Sequence, residues 1–389
     1  MISYDEELAK TRNDLRTLTS GLSRGLGNVV ERVRLAYRQF HLASLTELEA
    51  DYQVAQQTVS ELIGDFGPQE DVLLLQANID GRFHRLDRVK QMFAMSPQLA
   101  QRHCGRAILA DIDFQEGRYQ RALDTFQGLI EEERTWDVLA RLAHWNGKMG
   151  EPAAADRLYA EAESELTAKE MRSFTWLELQ RAALALSRGQ LRRSRQHCER
   201  AAAAFPGYWR VDHCMVAVLA AEGDLLAAES LLRGVVMRAP RPELMQALGE
   251  LLAANGKPGE SAQWLERAAS AFLTSVKNGG VHYYHHLADL YADSLDRPEE
   301  AVHWARLDVA LRSNFTTQSA LAWALYQNAQ IQEGVKWIEM ALASGVQDAS
   351  VFGTAAELFR AAGDAELGHQ YERLATRINP SGKQFHLHI

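Results

Sequence analysis

Histidine and cysteine are the residues of this chain that could most readily bind a metal ion. Each of the three cysteines directly follows a histidine, at His103-Cys104, His197-Cys198 and His213-Cys214. Thiolate and imidazole are ligands that suit zinc or copper(I). Adjacent residues of a helix point about 100° apart, so one such pair cannot chelate a metal alone. A joint site built from the second and third pairs is one interpretation, and Cys198 as a small apolar core residue is the other.

A second group of possible ligands lies further along the chain and contains His282, His285, His286, Asp289 and Asp293. Residues four apart on a helix are neighbours, as are His282 and His286, and likewise His285, Asp289 and Asp293. One interpretation is a divalent-metal site made of His282, His286 and Asp289. The favoured interpretation is a polar groove wall in which carboxylates hydrogen-bond imidazoles, and no cofactor is predicted.

One short motif would indicate nucleophilic catalysis. Gly21-Leu22-Ser23-Arg24-Gly25 has the pattern G-x-S-x-G, which in hydrolases lies between a strand and a helix. The preceding run from Glu6 to Leu18 has a helical pattern instead, so this context is missing. No nucleophile, base and orienting group can be placed on one face of the predicted elements. The sequence therefore predicts that the protein is not an enzyme.

The elements that position these residues recur with a regular spacing. Eight turn positions lie 33, 39, 34, 33, 40, 33 and 34 residues apart, and each is followed five residues later by a small residue. The turn positions are Gly117, Gly150, Gly189, Gly223, Gly256, Asp296, Ala329 and Gly363. The small residues are Ala122, Ala155, Ser194, Ala228, Ser261, Ala301, Gly334 and Gly368. This pattern predicts helical hairpins whose axes cross closely at the small residues.

These residues resemble the consensus of the tetratricopeptide repeat family. The best matches are Leu287-Ala288 with Tyr291, Leu321-Ala322 with Leu325, and the half-repeat from Gly363 to Pro380. The resemblance implies an all-α fold, a right-handed α-α superhelix of about eight clear repeats preceded by degenerate helical units. We expect an N-terminal helical cap at 1–100, the repeat array at 101–380 and a C-terminal tail at 381–389.

The region before the array has weaker signals. Residues 1–24 are predicted to form an amphipathic helix that ends at the glycines at 21, 25 and 27. Two more helices are expected within 28–64, with Thr46 and Glu49 compatible with a capping arrangement. Residues 68–97 have the pattern of a degenerate repeat.

Charge and composition limit the class of partner and the compartment. The net charge is −9, which disfavours nucleic acid and anionic membranes as partners. Three cysteines do not make a disulfide framework. No signal-peptide pattern and no long apolar window is visible, so we expect a cytoplasmic protein without membrane insertion.

The resemblance implies that the first helix of each repeat lines a concave groove. The groove positions implied in this chain are Asp111, Phe114, His144, Trp176, Leu179, His213, Glu250, His282, His285, Asp289, Asp293, Trp323, Tyr326 and Gln327. We expect Trp176 to belong to the core, and Trp323 and Tyr326 to face the groove. Lys and Asn, with which related cochaperones clamp a terminal carboxylate, do not occupy the matching positions, so that partner class is disfavoured.

An acidic and aromatic groove suits a peptide or amphipathic helix that carries Lys or Arg and an apolar anchor. The sequence therefore predicts a non-catalytic scaffold or adaptor that binds a protein or peptide, with a bacterial assembly or regulatory factor as the expected setting. The alternative is a metal-binding accessory protein that uses the histidine clusters.

Overall fold

The computed structural model describes residues 2–23, 28–167 and 169–381, and within them all regular structure is helical. The first eleven α-helices are α1 Tyr4–Ser23, α2 Val29–Thr46, α3 Glu49–Phe66, α4 Glu70–Arg82, α5 Leu86–Met95, α6 Pro97–Gln101, α7 His103–Gln115, α8 Tyr119–Glu132, α9 Trp136–Lys148, α10 Pro152–Ser164 and α11 Met171–Ser187. The remaining α-helices are α12 Leu191–Ala204, α13 Trp209–Glu222, α14 Leu225–Arg238, α15 Pro242–Ala254, α16 Pro258–Lys277, α17 Tyr284–Asp289, α18 Pro298–Leu311, α19 Phe315–Gln327, α20 Ile331–Ala343, α21 Ala349–Ala361 and α22 Ala365–Ile378. A π-helical turn, Leu290–Ser294, continues α17. None of the helices in these residues combines the length and the apolar character needed to span a membrane.

The chain divides into two compact units. Unit 1 comprises Met1–Leu109 and Phe205–Tyr208, and unit 2 comprises Ala110–Ala204 and Trp209–Ile389. The division after residue 100, which the repeat spacing suggests, stays a prediction. Within the tail, only Ser381 belongs to the described residues.

The helices of unit 1 fit the helix expected at 1–24 and the two expected within 28–64, and they correct two details of the weaker sequence signals. Helix α1 continues to Ser23, past Gly21, because an isolated glycine weakens a helix without ending it; the glycines at 25 and 27 lie outside the described residues. Thr46 and Glu49 do not cap α3, since its N-cap residue Leu48 has no side-chain cap bond. The Thr46 hydroxyl instead donates to Asp51 at 2.5 Å.

Eight helical hairpins run from α7–α8 to α21–α22, all within unit 2 except residues 103–109 of α7, and in each we call the first helix A and the second helix B. All eight predicted turn positions have positive φ angles, between 50° and 94°. Glycine adopts this left-handed conformation without steric cost. Asp296 and Ala329 adopt it as well, with φ of 50° and 56°, so the position fixes the conformation even where the residue does not favour it.

The small residues lie where helices A and B cross, and all eight are buried. A Cβ atom on Gly334 of α20 would lie 3.1 Å from the carbonyl oxygen of Ala322 in α19, helix A of the same hairpin. At the third repeat, the Ser194 hydroxyl donates to the carbonyl of Ala182 at 2.9 Å. The close approach of the two helices therefore explains the regular small residue, and the fold is an all-α, right-handed superhelix of paired helices.

Candidate partner-binding surface

Over part of unit 2 the A helices of neighbouring repeats lie closer together than the B helices. Neighbouring A helices pack against one another at α9–α11, α11–α13, α17–α19 and α19–α21. No two neighbouring B helices in the described part of unit 2 pack as closely. In a curved stack the more closely spaced layer lies inside. We call the exposed and half-buried A-helix side chains of unit 2 the inner surface.

At the start of the inner surface the charges compensate one another. Arg141 of α9 donates from Nε to both carboxylate oxygens of Asp111 of α7, at 3.0 and 2.9 Å, and from Nη1 to Asp137 at 2.8 Å. Burial raises the pKa of Asp111, and Arg141 works against that shift. Burial would lower the pKa of Arg141, but the two carboxylates outweigh it and raise that pKa. The geometry is that of an ion pair, so Arg141 cancels one of the two negative charges at this end.

His144 adds no fixed charge to this end. The surrounding protein, and then the positive charge of Lys148, lower the pKa of His144 to about 4. The ring is nevertheless exposed, so solvent weakens the effect and we expect a pKa between that value and the ordinary one. Phe114 meets the imidazole edge to face, with ring centroids 5.6 Å apart. The imidazole is therefore neutral at pH 7.

Further along, the inner surface has an excess of carboxylates. Burial, followed by the charges of Asp293 and Asp308, raises the pKa of Asp289 well above its ordinary value. Arg312 compensates Asp308 through an Nε–carboxylate contact of 3.1 Å, and its Nη2 lies 3.3 Å from His285 Nδ1. The charges of Asp293 and Asp308 act together on Asp289, so negative charge is concentrated at this end, which favours a cation.

The exposed Asp293 joins two neighbouring A helices. The indole N–H of Trp323 donates to its carboxylate at 2.7 Å. Trp323 and Tyr326 stack with ring centroids 5.1 Å apart and planes 21° apart, and both are half-buried. An aromatic pair beside an anionic group is an arrangement that attracts Lys or Arg side chains. We call Asp289, Asp293, Trp323 and Tyr326 the acidic-aromatic patch.

The π-helical turn places this patch. Its Ser294 donates to Glu250 Oε1 of α15 at 3.1 Å, and Gln246 donates to the same oxygen at 2.9 Å. Glu250 is therefore half-buried and tied to its neighbours. Gln327, at the end of α19, is exposed. π-helical turns widen a helix locally and often occur at functional sites.

Two sequence-based expectations about exposure were wrong. His213 is only 5% exposed, because α13 is buried on nearly all sides and the histidine is not an open groove residue. Trp176, expected in the core, is 43% exposed and meets Trp136 edge to face at 6.1 Å. Leu179 packs against the core beside Cys198 and Cys214.

The geometry does not support a divalent-metal site made of His282, His286 and Asp289. The ligand atoms of His282, His286 and Asp289, all within the described residues, do not come within 4.8 Å of one another. His286 is buried and stacks on Phe272, with ring centroids 5.3 Å apart. The ring of His282 lies against Tyr283, with centroids 3.9 Å apart.

The joint histidine–cysteine site does not form either. His197 Nδ1 lies 3.0 Å from a carboxylate oxygen of the buried Glu178. Cys198 and Cys214 share an apolar cluster. Their mutual hydrogen bond, and then burial, raise the pKa of Cys214 well above its ordinary value, so it stays a neutral thiol. The G-x-S-x-G motif has Gly21 in a helix and continues outside the described residues.

Two cations beside predicted groove residues were not predicted, Arg141 next to Asp111 and Arg312 next to His285. A spacing could have indicated the first. Arg141 follows Asp111 by 30 residues, and Trp323 follows Asp293 by the same 30. Thirty residues is one repeat minus about one helical turn, which brings side chains of neighbouring A helices together.

Comparison with known proteins gives similarity to solved structures only. No protein-family model and no curated protein matches the chain. Human IFIT1, solved as a dimer with PPP-AAAA, matches with a TM-score of 0.49 and 12% identity, over 95% of this chain and 87% of that one. PilF of Pseudomonas aeruginosa matches with a TM-score of 0.33 and 16% identity, over 55% of this chain and 95% of that one.

Because both TM-scores are below 0.5, the fold class is assigned from the geometry of the chain itself. Eight helical hairpins recur at about 34 residues, each with a left-handed turn and a buried small residue at the crossing. The chain is therefore a tetratricopeptide-like helical-repeat protein.

Proposed function

We propose that unit 2 is a non-catalytic scaffold that binds a protein or peptide on its inner surface, through the acidic-aromatic patch. The observation that carries the proposal is the Asp293–Trp323–Tyr326 contact beside the raised-pKa carboxyl of Asp289. A partner with Lys or Arg next to an apolar side chain would compensate the carboxylates and cover the aromatic faces.

Several features of the chain fit this role. A solenoid stacks repeats into an extended concave face, which suits an extended peptide or a helix. The net charge of −9 favours a cationic protein segment over nucleic acid. The reduced cysteines are consistent with a cytoplasmic location, which we include in the proposal.

Affinity capture with the full chain tests the proposal. Trp323→Ala removes the aromatic face while the crossing residues of its repeat stay intact. Met237→Ala is the matched control, because Met237 is 81% exposed on helix B of another repeat. We expect mass spectrometry to show a protein captured by the native chain and by Met237→Ala, with at least about fivefold less bound to Trp323→Ala.

Thermal unfolding of both variants accompanies the capture, so that loss of binding is separated from loss of the fold. Equal capture by all three proteins, with equal unfolding temperatures, would remove the acidic-aromatic patch from the proposal.

A further inference from the structure

Unit 2 contacts itself between segments that lie far apart in the chain. Near the first turn, Asn314 Nδ2 donates to the carbonyl of Gln115 at 2.8 Å, 199 residues away. The amide of Phe315 donates to the hydroxyl of Tyr119 at 2.8 Å. The rings of Tyr119 and Phe315 lie 5.5 Å apart. The turn of the first repeat therefore touches the junction between the sixth and seventh repeats.

The second repeat makes the equivalent contact one repeat further on. The amide of Gln347 donates to the carbonyl of Lys148 at 2.9 Å, and Lys148 Nζ lies 3.1 Å from a carboxylate oxygen of Asp348. Arg188 spans the joint, since its Nη2 donates to the carbonyl of Gly147 at 2.7 Å and to that of Gln347 at 3.4 Å.

The turn glycines show how close these contacts are. A Cβ atom on Gly117 would lie 2.6 Å from the carbonyl oxygen of Ser313, and one on Gly189 would lie 2.7 Å from Asn379 Oδ1. By contrast, a Cβ atom on Gly256 or Gly363 would meet nothing within 4 Å. The turns at Gly117 and Gly189 thus need glycine for two reasons, the left-handed backbone and the approach of a distant segment.

Together these contacts form a seam, made of residues 114–119 with 313–315, 147–150 with 347–348, and 188–189 with 379–381. The turns of repeats one to three meet the opposite edge of the array about six repeats later. Successive superhelical turns of unit 2 therefore touch, and along the seam the inner surface is closed from the side.

We propose that the seam is a clasp, which opens as one unit and controls access from the side to the inner surface. The proposal rests on the proposed function for its purpose, a partner that binds inside. The seam combines an apolar contact, in which Tyr119 and Phe315 belong to one buried cluster and Phe114 and Met149 pack against it, with hydrogen bonds and an ion pair whose side chains are 36% and 21% exposed. The hairpin crossings, in contrast, are fully buried. Opening is therefore expected to begin at the second contact, where the half-exposed ion pair of Lys148 and Asp348 and the Gln347 amide hydrogen bond join the two segments.

Hydrogen exchange on the protein alone tests whether the clasp opens as one unit. Lys148→Asp places two carboxylates together at the second contact. The Phe315 amide is the reporter, because it is the first residue of α19 and its hydrogen bond goes to Tyr119 of the first contact. We expect its exchange to become about tenfold faster in Lys148→Asp. In the swapped double variant Lys148→Asp/Asp348→Lys it returns to within about twofold of the native rate.

Faster exchange confined to the Gln347 amide, with Phe315 unchanged, would mean that each contact opens separately and would overturn the clasp. Because this experiment needs no partner, a negative result leaves the proposed function standing.

Labelling of an inner cysteine tests the control of access. Gln327→Cys in a Cys104→Ser background is labelled with N-ethylmaleimide or with a maleimide that carries a polyethylene glycol chain. Gly117→Ala opens the seam by a backbone clash, and Gly256→Ala is its control, since both glycines have positive φ (78° and 73°) but only the first meets the seam.

At Gln327→Cys, we expect the polyethylene glycol maleimide to react about tenfold more slowly than N-ethylmaleimide when the seam is native or carries Gly256→Ala. With Gly117→Ala we expect the two reagents to react at similar rates. Met237→Cys, on an exposed helix B, gives the ratio for an open site. If the ratio at Gln327→Cys equals that at Met237→Cys in the native seam, the inner surface is open from the side and the clasp is wrong.

Discussion

The two ends of the inner surface have similar residue types and different electrostatics. At the first end, Arg141 lies between Asp111 and Asp137 and compensates them. At the second end, burial and the charges of Asp293 and Asp308 raise the pKa of Asp289, and the guanidinium of Arg312 is bound to Asp308. Counting acidic residues along the groove does not distinguish these ends, whereas the pairing does. A cationic partner is therefore expected at the second end.

The first prediction concerns the ion pair at the first end of the inner surface, between Arg141 and its two carboxylates. Arg141→Met leaves Asp111 and Asp137 facing each other without a cation. Removing one partner of a buried ion pair costs about 3–5 kcal/mol, and the 26% and 37% exposure of Arg141 and Asp111 reduces our expectation to about 2 kcal/mol. Chemical denaturation measures this loss.

Two further variants decide the cause of that loss. Asp111→Leu/Arg141→Met removes the orphaned carboxylate and is expected to recover about half of the lost stability. Arg306→Met removes an exposed pair with Glu333 between two B helices, and we expect a cost below about 1 kcal/mol. If Arg141→Met costs no more than Arg306→Met, the two ends do not differ as described.

The second prediction concerns the end of the inner surface that contains Asp289. The folded-state pKa of Asp289 lies above its unfolded value, so its contribution to stability is complete below the unfolded pKa and is lost as the pH rises through the folded pKa. Asp289→Asn abolishes this loss. Each pKa unit corresponds to about 1.4 kcal/mol, and we expect the variant to gain about 1 kcal/mol over the native protein between pH 4 and pH 8.

Thermal unfolding across this pH range provides the measurement. Asp124→Asn changes an exposed carboxylate of helix B and is expected to shift the whole curve without changing its slope. Parallel curves for the native protein and Asp289→Asn would contradict an excess of carboxylates at this end.

The sequence predicts the scaffold well because one steric rule acts in every repeat. Each crossing needs a small residue and each turn a left-handed residue. The same residue types therefore recur in the sequence at the spacing of the repeats. The turn between α4 and α5 lies outside this pattern: His84 is left-handed there as well, with φ of 53°, and Val89 five residues later is fully buried. Histidine and valine are not among the residue types of the repeat pattern, so the pattern does not predict this turn.

The inner surface is harder to predict because its residues differ between repeats. Whether Asp111 is compensated depends on Arg141 in the next repeat, and the contact exists only once both helices are placed. The burial of His213 and the exposure of Trp176 depend in the same way on neighbouring helices. The π-helical turn that carries Asp293 has no signal in the periodicity. Pairing and local distortion therefore need the three-dimensional structure.

The most direct test of the account is the dissociation constant of the captured partner for Asp293→Asn compared with Glu300→Gln. Each variant removes one negative charge, the first on the inner surface and the second at the exposed start of a helix B. An exposed charge interaction contributes up to about 1 kcal/mol, so we expect three- to fivefold weaker binding for Asp293→Asn and less than about 1.5-fold change for Glu300→Gln. Equal dissociation constants for the two variants would contradict a partner held at the acidic-aromatic patch.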